Sequence, residues 1–173
     1  MVDFLRAKIL DVPDFPKKGV LFRDITPILQ SAVWFGQLIQ RMSELTDFDE
    51  TVVAGVDARG FILGAALAHH RRLGFVPIRK NNKLPRPVWS AMCVLEYGRE
   101  ILDVHKDAMR EGDKALVVDD VLATGGTAEA AVKIARMCGA KVEKCVFAIE
   151  IEALGGRKKL EDQGVKVESV FKF

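Results

Sequence analysis

The chain predicts an α/β fold with a central, mostly parallel sheet flanked by helices, and three observations carry that expectation. From residue 51 onward, short β-branched runs alternate with stretches of helical spacing. The strongest run, 115–121, is apolar except for two adjacent aspartates. A glycine, Gly139, falls where the helix before it should end. Parallel strands need crossovers long enough to hold a helix, and strands buried on both faces read as continuous apolar runs.

The first ten residues fit a short helix, and Pro13, Pro16 and Gly19 then break the chain into a loop. Leu38, Ile39, Met42 and Leu45 place a helix over Trp34–Leu45. The alternation follows: strand Thr51–Val56, helix Gly60–Leu73, strand Gly74–Ile78, strand Ala115–Val121, helix Ala128–Cys138 with Gly139 at its C-terminal cap, strand Val142–Ile151, short helix Gly155–Gln163 and strand Val165–Phe171. One stretch interrupts the rhythm. Residues 80–88 carry Asn81, Asn82, Pro85 and Pro87 among cations, and 95–105 reads as extended chain with the turn pair Tyr97-Gly98. An excursion of this length in a compact domain is usually a lid or binding loop, here shaped as a hairpin.

Composition sets the class. A chain of 173 residues, 49% hydrophobic and 29% charged, fits one domain, spanning 1–173, with a real core. Its net charge of +2, with no basic stripe, argues against a nucleic-acid partner. No apolar run approaches the roughly 20 residues of a membrane span, and the charged Asp3, Arg6 and Lys8 do not suit a signal peptide. Cys93, Cys138 and Cys145 match no zinc or redox spacing, read as packing thiols and point to a reducing compartment. The expected location is the cytoplasm, with neither membrane nor nucleic acid as partner.

The sharpest feature is the run from Val117 to Thr127, which reads strand, acid pair, glycine turn, helix. In an open α/β sheet ligands bind beyond the carboxyl ends of the strands. Ala123, Thr124, Gly125, Gly126 and Thr127 sit there, opening a helix. The glycines admit a close approach to backbone N–H groups, the threonines add hydroxyl donors, and the helix N-terminus favours an anion. Asp119 and Asp120 would repel a phosphate unless they accept from neutral donors or face a metal. The two hydroxyls of a ribose satisfy them, so the expected ligand is a sugar phosphate. A second strand-to-helix junction, Gly55 to Phe61, makes an anion site from backbone amides and Arg59.

The run resembles the PRPP-binding motif of the type I phosphoribosyltransferases, and its Leu-Ala-Thr-Gly-Gly-Thr version is similar to that of the family's adenine-specific branch. The likeness covers about Pro13 to Phe171. It implies the type I phosphoribosyltransferase fold, with a small N-terminal hood over about 1–30 and a mobile hairpin loop over about 80–105. The turn would hold the 5-phosphate and the two acids the ribose hydroxyls. Asp57, Ala58 and Arg59 resemble the family's pyrophosphate loop, which implies a cis peptide between Asp57 and Ala58, although Ala58 stands where a serine is common. Arg79 and Lys83 resemble the start of the catalytic loop, where they would neutralise pyrophosphate. In relatives one such cation reaches the neighbouring subunit, which implies a homodimer.

Leu95-Glu96-Tyr97-Gly98 is similar to the adenine-branch signature, with Glu96 as the general acid or base at purine N7 and Tyr97 near the base. Leu21, Phe22 and Arg23 resemble the segment that covers the base, and Ile151 matches the position on its other face. Cys93 stands where a tyrosine is common. The resemblance thus implies Mg²⁺-dependent transfer of ribose 5-phosphate from PRPP to adenine, the ion held mainly by PRPP, with Glu96, Arg59 and Lys83 as catalytic groups. Another purine base, or a non-catalytic PRPP-binding regulator, remains open at this point.

Overall fold

The computed structural model describes residues 2–95 and 98–173. Helix α1 (Val2–Arg6) leads into a ribbon of β1 (Leu10–Pro13) and β2 (Leu21–Asp24), then α2 (Thr26–Leu29) and α3 (Ala32–Glu44). The sheet follows, as β3 (Val52–Val56), α4 (Arg59–Arg71), β4 (Gly74–Lys80), β5 (Val88–Leu95), β6 (Gly98–His105), β7 (Lys114–Leu122), α5 (Gly126–Met137), β8 (Lys141–Glu150), α6 (Gly156–Glu161) and β9 (Lys166–Lys172). The seven strands lie in the order β5-β6-β4-β3-β7-β8-β9. β4, β3, β7, β8 and β9 are parallel neighbours, whereas β6 joins β4 antiparallel and β5 joins β6 antiparallel. The sheet is therefore mostly parallel, as the sequence predicts.

Successive residues of a strand point to opposite faces, and two cores result. On β7, Leu116 and Val118 pack with Leu38, Met42, Leu63 and Leu67 of α3 and α4. Val117 goes to the other side, with Ala128, Ala131, Ile134 and Ala135 of α5 and Leu160 of α6. Both faces of β3 and most of β7 are buried, which is why neither run alternates in polarity. Gly139 follows α5 with φ +97°, the left-handed cap its position predicts. The three cysteines are free and buried, and burial pushes the Cys145 thiol up. Among the described residues no helix is long and apolar enough to cross a membrane.

The structure differs from the sequence reading in four places. The helix of the first ten residues ends at Arg6, and Leu10–Pro13 is a strand paired with Leu21–Asp24. All four of its residues are exposed, so it carries no apolar periodicity to read. Residues 26–29 form a helical turn with proline at its start. Val88–Leu95 is a full strand, paired with β6 from Val88↔His105 to Leu95↔Gly98, with Ala91 and Cys93 buried and Met92 and Val94 exposed. Finally, α5 begins at Gly126, because glycines usually written off as turn residues are already helical.

Candidate active site

Two strand-to-helix junctions and the loop after β4 converge at the carboxyl edge of the sheet. At the first, β7 ends in Asp119-Asp120-Val121-Leu122, and Ala123-Thr124-Gly125 turns into α5. Gly125 takes φ +81°, a left-handed conformation that strains side-chain residues. No described side chain caps α5, and among the described residues Thr124 and Thr127 make no side-chain hydrogen bond. The first N–H groups of the helix and two hydroxyls are thus left as donors for an anion. A Cβ on Gly126 would lie 1.9 Å from the Val94 carbonyl oxygen, because β5 passes directly over this first turn.

The acid pair is buried, Asp119 being 9% and Asp120 7% exposed. Asp119 accepts the Asp120 N–H at 2.8 Å, and Asp120 pairs with the Arg59 guanidinium. Burial, followed by the charge of Asp120, holds the Asp119 carboxyl well above the usual carboxylate range. Such a site gains from hydroxyl donors, which satisfy lone pairs without adding charge.

At the second junction β3 gives way to α4 through a cis peptide between Asp57 and Ala58, as the family likeness implies. The Asp57 N–H donates to the Ile78 carbonyl at 2.9 Å. Its carboxylate meets Arg79 at 3.4 Å. A Cβ on Gly60 would stand 2.8 Å from Asp119 Oδ1 and 2.9 Å from the Val118 carbonyl. The first turn of α4 therefore rests on the acid pair with no room for a side chain. That packing brings Arg59 to Asp120, across 61 positions of sequence.

The third segment is the loop after β4. Arg79 donates to the Lys83 carbonyl at 3.3 Å, and the Lys83 side chain is exposed. Sequence reasoning missed the group that pins this segment. Asp103 on β6, 2% exposed, accepts from Asn81 Nδ2 at 3.1 Å, the Asn82 N–H at 3.0 Å and Ser90 Oγ at 2.7 Å. The only sequence signal was one acid in the apolar stretch Ile101–Val104.

On the base side, the Arg59 guanidinium lies 5.1 Å from the Phe22 ring, which meets Phe15 edge-on at 5.2 Å. Leu21 is exposed, and Arg23 pairs with Asp11 while lying over the Phe173 ring at 4.2 Å. Ile151 is half-buried beside the α3/α4 core, its N–H donating to Leu122 at 2.9 Å. The structure thus links Phe22, Arg59, Asp120 and Asp119 in one chain of contacts, and Asp57, Arg79 and Lys83 in another. Leu21 contacts neither chain through a polar group. Glu96 and Tyr97 lie outside the described residues.

Residues 25–172 match the family model described as the phosphoribosyl transferase domain. An adenine phosphoribosyltransferase of Carboxydothermus hydrogenoformans is 48% identical over 170 residues, covering 98% of this chain and 99% of that one. The structure of an adenine phosphoribosyltransferase from Thermoanaerobacter pseudethanolicus superposes with TM-score 0.96 at 42% identity, covering 100% of both chains. That of the Saccharomyces cerevisiae enzyme, complexed with an imino-altritol bisphosphate and adenine, gives TM-score 0.90 at 32% identity, covering 98% of this chain and 97% of that one. With two buried acids feeding a glycine turn and likeness over nearly the whole length, the chain belongs to the phosphoribosyltransferase family, in its adenine phosphoribosyltransferase branch.

Proposed function

We propose that this chain joins adenine to the ribose 5-phosphate of PRPP, yielding AMP and pyrophosphate, a purine-salvage reaction. The observation that carries this reading is the buried acid pair running straight into an uncapped glycine turn, with a second anion loop packed on Asp119. Residues 123–127 take the 5-phosphate, and Asp119 and Asp120 take the ribose hydroxyls. Arg59, Arg79, Lys83 and the backbone around Asp57 and Ala58 receive the pyrophosphate. Phe22, Arg23, Leu21, Tyr97 and Ile151 surround the base.

The bond from ribose C1 to pyrophosphate breaks, its electron pair leaving with the pyrophosphate oxygen, and N9 of adenine bonds to C1 from the opposite face. Adenine attacks as the tautomer that carries its proton on N7, and the Glu96 carboxylate takes that proton as the N9–C1 bond forms. Positioning and charge neutralisation supply most of the acceleration. The acid pair also suits Mg²⁺, which binds through one or two carboxylates plus substrate oxygens. Among the described residues no cluster of three or more His, Cys, Asp or Glu cages a metal alone. When bound, the ion neutralises charge on the departing pyrophosphate. Exposed apolar Met92, Val94 and Ile101 on the paired strands β5 and β6 support a homodimer, and three free cysteines support a cytoplasmic location.

The test is turnover with PRPP and Mg²⁺ against adenine, hypoxanthine, guanine and xanthine. AMP from adenine alone is expected. Comparable product from another base overturns the base assignment, and PRPP binding without turnover overturns the enzyme reading.

A further inference from the structure

Among the described residues no side chain caps the phosphate turn, so its shape depends on the backbone packed behind it. That backbone is the start of α6. The Gly156 N–H donates to the Ala123 carbonyl at 3.1 Å. A Cβ on Gly156 would fall 2.3 Å from the Ala123 oxygen and 2.9 Å from the Gly125 nitrogen, and one on Gly125 would fall 3.0 Å from the Gly156 oxygen. The two segments touch from both sides with no intervening atoms.

The next residue, Arg157, anchors α6 to the sheet. Its Nε and Nη2 donate to the two oxygens of Glu150 at 2.8 and 2.6 Å, and Nη1 donates to the Val167 carbonyl at 2.6 Å. Glu150 is 2% exposed at the end of β8, and Ser169 Oγ donates to it at 2.6 Å. Burial would raise the Glu150 carboxyl, but the Arg157 and Ser169 hydrogen bonds outweigh it and hold it lower. The reaction described above uses none of these groups. A buried ion pair is also a poor source of stability compared with apolar packing. What a bidentate fork does supply is a fixed direction.

We propose that Arg157 is a positioning residue for substrate phosphate: its clasp on Glu150 sets Gly156 against residues 123–125 and so holds the turn in its phosphate-binding shape. The inference rests on the reading that this turn carries the 5-phosphate. A site displaced by even a fraction of an ångström loses binding steeply.

The experiment uses the full-length enzyme and the variants Arg157→Met, Arg157→Lys, Gly156→Ala and Thr127→Val. It measures KM for PRPP and adenine, kcat, melting temperature, and binding of ribose 5-phosphate by calorimetry. Arg157→Met is expected to weaken PRPP and ribose 5-phosphate by roughly tenfold or more, with adenine KM within about twofold. Arg157→Lys should fall between, since an ammonium lacks the fork. Gly156→Ala should give the same PRPP-selective signature without touching the clasp, and Arg157→Lys decides the matter if Arg157→Met does not fold. If Thr127→Val weakens ribose 5-phosphate while the 157 variants leave it unchanged, or if both KM values rise together, the positioning role is wrong. If Thr127→Val changes nothing, the phosphate lies elsewhere and both readings fall.

Discussion

Adding one methyl group at Gly60 tests whether the two anion loops work as a unit. An alanine Cβ there would stand 2.8 Å from Asp119 Oδ1, 2.9 Å from the Val118 carbonyl oxygen and 3.2 Å from Asp119 Cα. The closest approach is roughly 0.7 Å short of an ordinary non-bonded contact at about 3.5 Å. Two of the three atoms are backbone of a central strand paired on both sides, so α4 must give way instead. Overpacking of this kind costs about 1–3 kcal/mol, and the better helix propensity of alanine offsets up to about 1 kcal/mol. The net expectation is a loss of about 1–2 kcal/mol, a fall of a few degrees in melting temperature. Activity should suffer more than stability. Arg59 and the Asp57–Ala58 peptide ride on the displaced turn, and a shift of several tenths of an ångström between pyrophosphate and ribose sites costs on the order of 10- to 100-fold in kcat/KM for PRPP. Scanning calorimetry and steady-state kinetics measure both quantities. A Gly60→Ala enzyme with parental kcat/KM would refute the claim that this contact sets the distance between the loops.

Four other outcomes are expected. Asp119→Asn keeps an acceptor for the Asp120 N–H but removes a charge that burial and Asp120 both disfavour; thermal melting should show a gain on the order of 1 kcal/mol, while calorimetry shows weaker ribose 5-phosphate. Glu96→Gln should lower kcat far more than it weakens PRPP binding, and unchanged turnover removes Glu96 as the group that takes the N7 proton. Asp103→Ala leaves Asn81, Asn82 and Ser90 without their shared acceptor and should cost about 1–3 kcal/mol, with a rise in KM for PRPP in the same preparations. Glu150 is held below its ordinary 4.5, so its clasp stabilises the fold above that pH and loses its contribution as pH falls through the lowered value. Melting scans at decreasing pH should therefore show a loss that Glu150→Gln flattens.

The run from Val117 to Thr127 was legible because its information is local. Apolar strand, acids, glycines and helix are contiguous, so the chain order is also the order in space. The Asp57–Ala58 junction was legible by likeness. By contrast, the Arg59–Asp120 pair joins positions far apart in sequence, and Gly60 looked like any helix-starting glycine until β7 was seen beneath it. Glu150 and Arg157 carry no local mark of their pairing, since only the fold reveals that one of them is buried. The β1–β2 ribbon hid for the opposite reason: an exposed β1 beside a half-buried β2 leaves no apolar rhythm. Asp103 shows the middle case, a single polar residue among apolar ones whose meaning depends on a loop arriving from another strand.

The passage of Val94 over Gly126 has a consequence for fidelity. PRPP is a reactive ester, and the carbon that adenine must attack is open to any nucleophile that reaches it. With β5 lying against the first turn of α5, the missing side chain at 126 is what lets the strand seat on the turn. A larger residue at 126 pushes β5 and that turn apart, and an enzyme that holds its sugar donor loosely is expected to waste it by hydrolysis as well as turn over slowly.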